Sequence, residues 1–180
     1  MKIRVDHLKD KPHSLNSEYP VESFPVLADM QADGICCFTG PILSEISVFQ
    51  EFDHVRVSGC ASARVSLVCS RCLVTYPDEL NSSFTIFYRK ASADDINADD
   101  EIELNEQDLV SASYTGEEID FTHEIQEQLA MEIPLKPLCG EGCKGLCQVC
   151  GVDLNQNDCS CQRELTSFKF AALKDFKVSR

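Results

Sequence analysis

No apolar run in this chain is long enough to cross a bilayer. The longest stretch without a charge, residues 34–44, falls well short of the ~20 residues a membrane helix needs. The first ten residues, from Met1 to Asp10, carry charges every two or three positions and no apolar segment, so no secretory signal is expected. Internal repeats are absent as well. Lysine and arginine are missing from residues 91–132, where fourteen Asp or Glu collect. The other sixteen acids balance all sixteen Lys and Arg, so the formal charge of −14 belongs to one segment. With 43% hydrophobic and 26% charged residues in 180, general disorder is excluded and one sizeable core is expected. The expectation is a cytoplasmic protein without a membrane partner.

Catalytic signatures are missing too. His123-Glu124 opens like the metalloprotease motif H-E-x-x-H, but Glu127 stands where the second histidine belongs. Gly145 is followed by Leu146 where a phosphate-binding loop requires Lys. Neither G-x-S-x-G nor an H-x-E paired with P-C-x-x-C occurs. His7, His13, His54 and His123 are scattered. The sequence therefore predicts a protein that is not an enzyme and has no small-molecule substrate.

Cysteine is what the chain has in excess, with eleven residues. An odd, tightly spaced set in a reducing compartment reads as metal ligation more readily than as a disulfide framework. Cys147-x-x-Cys150-Gly151 has the spacing of a zinc knuckle, in which two thiolates converge on one ion and the glycine lets the backbone turn and donate N–H bonds to sulfur. Two more thiolates can come from Cys139, Cys143, Cys159 and Cys161. No histidine lies in the module, so four thiolates would close the coordination shell, which marks a structural site. Its binding free energy would fold a segment with few apolar residues of its own.

Cys69-Ser-Arg-Cys72 is a second such pair with three readings. Arg71 beside it would favour the thiolate, as in a redox pair or a zinc-handling site. Two leftover thiolates of the C-terminal module would instead make it half of a second zinc site. The plain reading is a hairpin turn with incidental thiols. The redox reading lacks a surrounding βαβ pattern. Cys36, Cys37 and Cys60 read as small core residues.

Alternation predicts strands over residues 41–49, 55–68 and 76–89, with Gly59 marking a bulge or bend and the last two strands antiparallel across the turn that holds Cys69 and Cys72. Residues 2–5 read as a first strand, followed by an extended arm broken by Pro12, Pro20 and Pro25. The acidic residues 91–108 read as a mobile loop, with Ile102 and Leu104 able to form a short strand. Phe121, Ile125, Leu129 and Ile133 recur every four residues in a helix over 121–133, capped by Asp120 or Thr122 and ended by Pro134. Leu165 to Phe176 reads as a short amphipathic helix.

The fold class is thus α+β. A curved antiparallel sheet carries one packed helix, and a Cys-rich zinc module closes the C-terminus. The divisions are a strand and arm over 1–34, a sheet domain over 35–137, and the zinc module with its helix over 138–180. Residues 54–90 and 162–180 each carry a local excess of +3. Arg56, Arg64, Arg71, Arg89, Lys169 and Lys174 are candidate phosphate contacts if they share a face, and a solvated surface otherwise.

Taken in order, Cys69-Ser-Arg-Cys72-Leu73, Ile133-Pro134 running to Cys139, Cys143-Lys-Gly-Leu-Cys147-x-x-Cys150-Gly151-x-x-Leu154-Asn155, Cys159-x-Cys161 and Phe170-Ala-Ala-Leu173 resemble the YceD family, the large ribosomal RNA subunit accumulation proteins. The resemblance covers about residues 35–176. It implies a cytoplasmic, non-enzymatic factor supporting accumulation or processing of large-subunit (23S) ribosomal RNA in bacteria, with plastid relatives in plants, acting by binding RNA or a ribosomal protein. Cys69, Arg71, Cys72, Cys139, Cys143, Cys147, Cys150, Cys159 and Cys161 carry over, with zinc stabilising the fold. The rival expectation is a thiol-disulfide or zinc-handling protein using Cys69 and Cys72.

Overall fold

The computed structural model describes residues 2–8, 12–52, 54–91 and 111–161. In chain order these form β1 (Lys2–Arg4), β2 (His13–Tyr19), α1 (Pro25–Ala32), β3 (Cys37–Phe38), β4 (Ile42–Gln50), β5 (His54–Val68), β6 (Thr75–Lys90), β7 (Ser111–Tyr114), β8 (Glu118–Asp120) and α2 (Thr122–Glu132). The main sheet has the order β2-β4-β5-β6-β7, and β3 pairs with β5 beyond the end of β4. All its pairings are antiparallel except β6 with β7, so the sheet is mixed. β1 and β8 form a separate two-stranded ribbon.

β5 shows why the sequence builds this layer. Val55, Val57, Ala61, Ala63, Val65 and Leu67 are buried, whereas Arg56, Cys60, Arg64 and Val68 between them are exposed. A period of two puts these six apolar residues on one face, and burying each is worth about 1.5–3 kcal/mol for a Val- or Leu-sized side chain. α2 covers that face with Phe121, Ile125, Leu129 and Ile133, all buried. The Phe121 ring meets Tyr88 of β6 edge-on at 5.9 Å. Phe121, neither Asp120 nor Thr122, holds the N-cap position of α2 and makes no side-chain cap bond; Asp120 just before it accepts from the Thr122 amide at 3.0 Å and from the Thr122 hydroxyl at 2.6 Å through Oδ1. Pro134 ends it by forcing Ile133 into extended backbone.

Several expectations need correction. The N-terminal stretch is not a free arm, because β2 is the edge strand of the main sheet and a second helix, α1, follows. Pro25, read as a breaker, sits in the first turn of α1, where its missing N–H has no helical partner to lose. α1 buries Leu27, and the Gln126 side-chain carbonyl ties it to α2 by accepting from the Val26 amide at 3.3 Å. Gly59 makes no bulge; register runs unbroken through it to Ile46 and Phe84. A Cβ there would lie 2.8 Å from the Glu45 carbonyl, so close approach is what selects glycine. The acidic loop with Ile102 and Leu104, and the helix from Leu165 to Phe176 with Lys169 and Lys174, fall outside the described residues.

Candidate metal centres

The β5–β6 turn carries the first cysteine pair. Cys69 N–H donates to the Val74 carbonyl at 2.9 Å, and Leu73 N–H donates back to the Cys69 carbonyl at 2.9 Å. This tight return puts Leu73 at φ +61, a left-handed conformation usually left to glycine. The second pair arrives on the loop after α2. Ser70 N–H donates to the Pro137 carbonyl at 2.8 Å, which lays that loop against the turn. The result brings together Cys69, Cys72, Cys139 and Cys143, whose sulfurs all lie within 4.8 Å of one another. Cys69 and Cys143 approach to 3.7 Å, and Cys72 and Cys139 to 3.6 Å. A tetrahedron of thiolates ~2.3 Å from zinc has edges of about 3.8 Å, whereas a disulfide needs sulfurs about 2.05 Å apart. The quartet fits an ion and not a bond.

Arg71 braces this cluster. Its guanidinium donates to the Cys143 carbonyl at 2.9 Å, and its own carbonyl accepts the Leu146 N–H at 3.0 Å. Gly145, at φ +75, lies so close that a Cβ would sit 2.9 Å from that carbonyl. Tyr76, Leu138 and Leu146 pack against the buried cysteines.

The second quartet is Cys147, Cys150, Cys159 and Cys161, again within 4.8 Å. Its turn repeats the first: Gly151 N–H donates to the Cys147 carbonyl at 2.8 Å with Gly151 at φ +74. Residues 144–147 and 152–155 pair as a miniature hairpin, with Cys147 N–H to the Val152 carbonyl at 2.8 Å and Leu154 N–H to the Gly145 carbonyl at 3.0 Å.

Each quartet holds one easily ionised thiol and two whose ionisation is disfavoured, Cys72 and Cys139 in the first and Cys159 and Cys161 in the second. The Cys139 backbone N–H, followed by those of Cys72 and Arg71, lowers Cys69 to about 6. The Cys150 and Val149 N–H groups lower Cys147 to about 6. Sharing with the Cys72 sulfur pushes Cys139 up to about 12, and sharing with Cys150 does the same to Cys161. Four sulfurs crowded in this way become four thiolates only around a cation, so the donor set suits a soft divalent metal.

Cys139 and Cys143 therefore do not join Cys147 and Cys150. They meet the first pair across the fold, and Cys159 and Cys161 complete the second quartet. Cys36 is buried, but Cys37 and Cys60 are exposed, not core residues. Sequence reasoning gave no role of its own to Asn155, Gly145 or Leu73. The signal for Leu73 was its place after a Cys-x-x-Cys, where Gly151 stands in the other pair.

Among the described candidate RNA contacts, Arg71 stands apart from the other three. Arg56, Arg64 and Arg89 share the exposed face of β5 and β6, where Glu45 and Glu79 also project. Arg56 bonds Glu51 at 3.2 Å and lies over the Phe49 ring. Arg71 is committed to the Cys143 carbonyl instead of this face.

Comparison with known proteins adds a lineage. The family model described as Large ribosomal RNA subunit accumulation protein YceD matches residues 57–177. The chain is 25% identical over 143 residues to the chloroplastic YCED homolog 1 of Arabidopsis thaliana, named a large ribosomal RNA subunit accumulation protein, covering 69% of this chain and 44% of the relative. It is 22% identical to the maize protein of the same name, covering 68% and 49%. An uncharacterised protein of Mycobacterium tuberculosis is 28% identical over 104 residues, covering 57% and 46%. The chain thus spans about half the length of the curated relatives it matches. No solved structure matches it.

Proposed function

The chain belongs to the YceD family, and from that premise we propose that it supports large-subunit ribosomal RNA accumulation as a binding factor braced by two zinc centres. The observation that carries the proposal is the sorting of eight cysteines into two quartets, the sulfurs of each within 4.8 Å of one another, in a chain of this family. Cys69, Cys72, Cys139 and Cys143 hold one ion, and Cys147, Cys150, Cys159 and Cys161 hold the other. Four thiolates fill each coordination shell, leaving no open position for water, so the metal supplies rigidity and no chemistry. The site has no catalytic role, and the protein acts by contact.

A thiol-disulfide role for Cys69 and Cys72 has the ionised Cys69 in its favour. The 3.6 and 3.7 Å contacts argue against it, since both link one Cys-x-x-Cys residue to the distant pair. Among the described residues no helix is long and apolar enough to cross a membrane.

The RNA is met directly, through Arg56, Arg64 and Arg89 on the exposed sheet face and through Lys169 and Lys174 of the C-terminal segment. The test is the salt dependence of binding to large-subunit ribosomal RNA fragments. Three to five phosphate contacts give a slope of log affinity on log salt of roughly −3 to −4.5. A flat response, with binding only to a ribosomal protein, would replace direct contact by recruitment through that protein.

A further inference from the structure

Only three residues separate Cys143 of the first quartet from Cys147 of the second, and they are the outgoing strand of the miniature hairpin. The returning strand brings Asn155 back to Cys143. Asn155 Oδ1 accepts the Lys144 N–H at 2.8 Å, which fixes the orientation of the amide. Its Nδ2 then faces the Cys143 sulfur at 3.5 Å and is held from the other side by Asp153 Oδ1 at 2.7 Å. Leu146, on the outgoing strand, packs against the buried sulfurs of the first quartet and forms the isolated bridge to Asp153. The hairpin whose turn carries Cys147 and Cys150 therefore delivers two components of the first centre, an apolar cover and a hydrogen-bond donor to one of its sulfurs.

Resting on the reading that both quartets bind zinc, we infer that the two centres load cooperatively, with Asn155 as the positioning residue that couples them. An ion in the second quartet closes the hairpin and holds the Asn155 amide on Cys143. The hydrogen bond to the Cys143 sulfur is thereby in place before the first ion arrives. By reciprocity, an ion in the first quartet favours the second to the same degree. Hydrogen-bond donors to ligand atoms are typically worth 10- to 100-fold in metal affinity, and that range is the coupling expected.

The test compares products of zinc dissociation constants, which requires no assignment of ions to sites. Full-length wild type is titrated with zinc against a competing chelator, beside Cys147→Ser/Cys150→Ser, which keeps only the first centre, and Cys69→Ser/Cys72→Ser, which keeps only the second. Independent centres make the product of the two wild-type constants equal to the product of the single-centre constants. Coupling makes the wild-type product about 10- to 100-fold smaller. Asn155→Ala in all three proteins should return the ratio towards one. If Asn155 merely stabilised the hairpin, Asn155→Ala would weaken the second centre measured alone and leave the ratio unchanged. Equal products in a wild type that binds two ions would overturn the coupling and spare the metal assignment. A wild type that binds no zinc would overturn both.

Discussion

Replacing Gly145 by alanine tests how tightly the two cysteine-bearing loops are pressed together. At φ +75 an alanine pays the left-handed backbone cost of about 1–2 kcal/mol. Its Cβ would also lie 2.9 Å from the Arg71 carbonyl, so the carbonyl must move off the Leu146 N–H that it accepts at 3.0 Å, a loss of about 1 kcal/mol. The sum is about 2–3 kcal/mol. Because a thiolate-bound module of this kind folds as it takes up metal, the loss should emerge as zinc affinity weaker by roughly 30- to 150-fold. Two glycines of the same module serve as controls. Gly151 has φ +74 with nothing within 4 Å, so Gly151→Ala bears the backbone cost alone and should weaken zinc by roughly 5- to 30-fold. Gly142 has neither a positive φ nor a near neighbour, and Gly142→Ala should leave affinity unchanged. The assay is chelator competition on the full-length chain. If Gly145→Ala weakens zinc no more than Gly151→Ala does, the close approach of the two loops is wrong.

Leu73 offers the opposite sign: it is 63% exposed and sits at φ +61, so Leu73→Gly should tighten zinc a few-fold, the relieved strain of about 1–2 kcal/mol being partly offset by glycine's entropy. Zinc affinity should rise with pH above neutrality, because Cys139 and Cys161, held near 12, must lose protons to bind. Below pH 6 it should fall more steeply as Cys69 and Cys147 also take up protons. Calorimetric titration in buffers of differing ionisation heat reads the released protons, and an affinity flat from pH 7 to 9 would contradict the assignment. Leu129→Ala, which opens a hole where a fully buried side chain fills the core beneath the sheet, should cost about 2–5 kcal/mol and lower the melting temperature by roughly 4–20 °C. An unchanged melting temperature would place α2 elsewhere.

The parts of this molecule written in a local period were legible. β5 and α2 announce themselves because burial on one face repeats every two residues in the one and nearly every four in the other, and neither signal needs knowledge of a distant partner. What failed was non-local. Nothing in the spacing says that β7 adds to the sheet parallel to β6, or that residues 13–19 find the edge of β4. Pro25 reads as a breaker until its position in the first turn of a helix is known. The cysteines divide in the same way. A Cys-x-x-Cys spacing marks each turn, but Cys69 meets Cys143 across 74 residues, and only the antiparallel return of β6 with the packing of α2 brings them together. Asn155 carries no such local mark, and Arg71, marked by its place between Cys69 and Cys72, gave no sign that it bonds the Cys143 carbonyl of another segment.

Counting the zinc retained by the purified full-length chain bears most directly on the whole account. Two ions per chain, falling to one in Cys69→Ser, are expected. Metal-free protein that keeps its fold and melts at the same temperature with or without a chelator would contradict it.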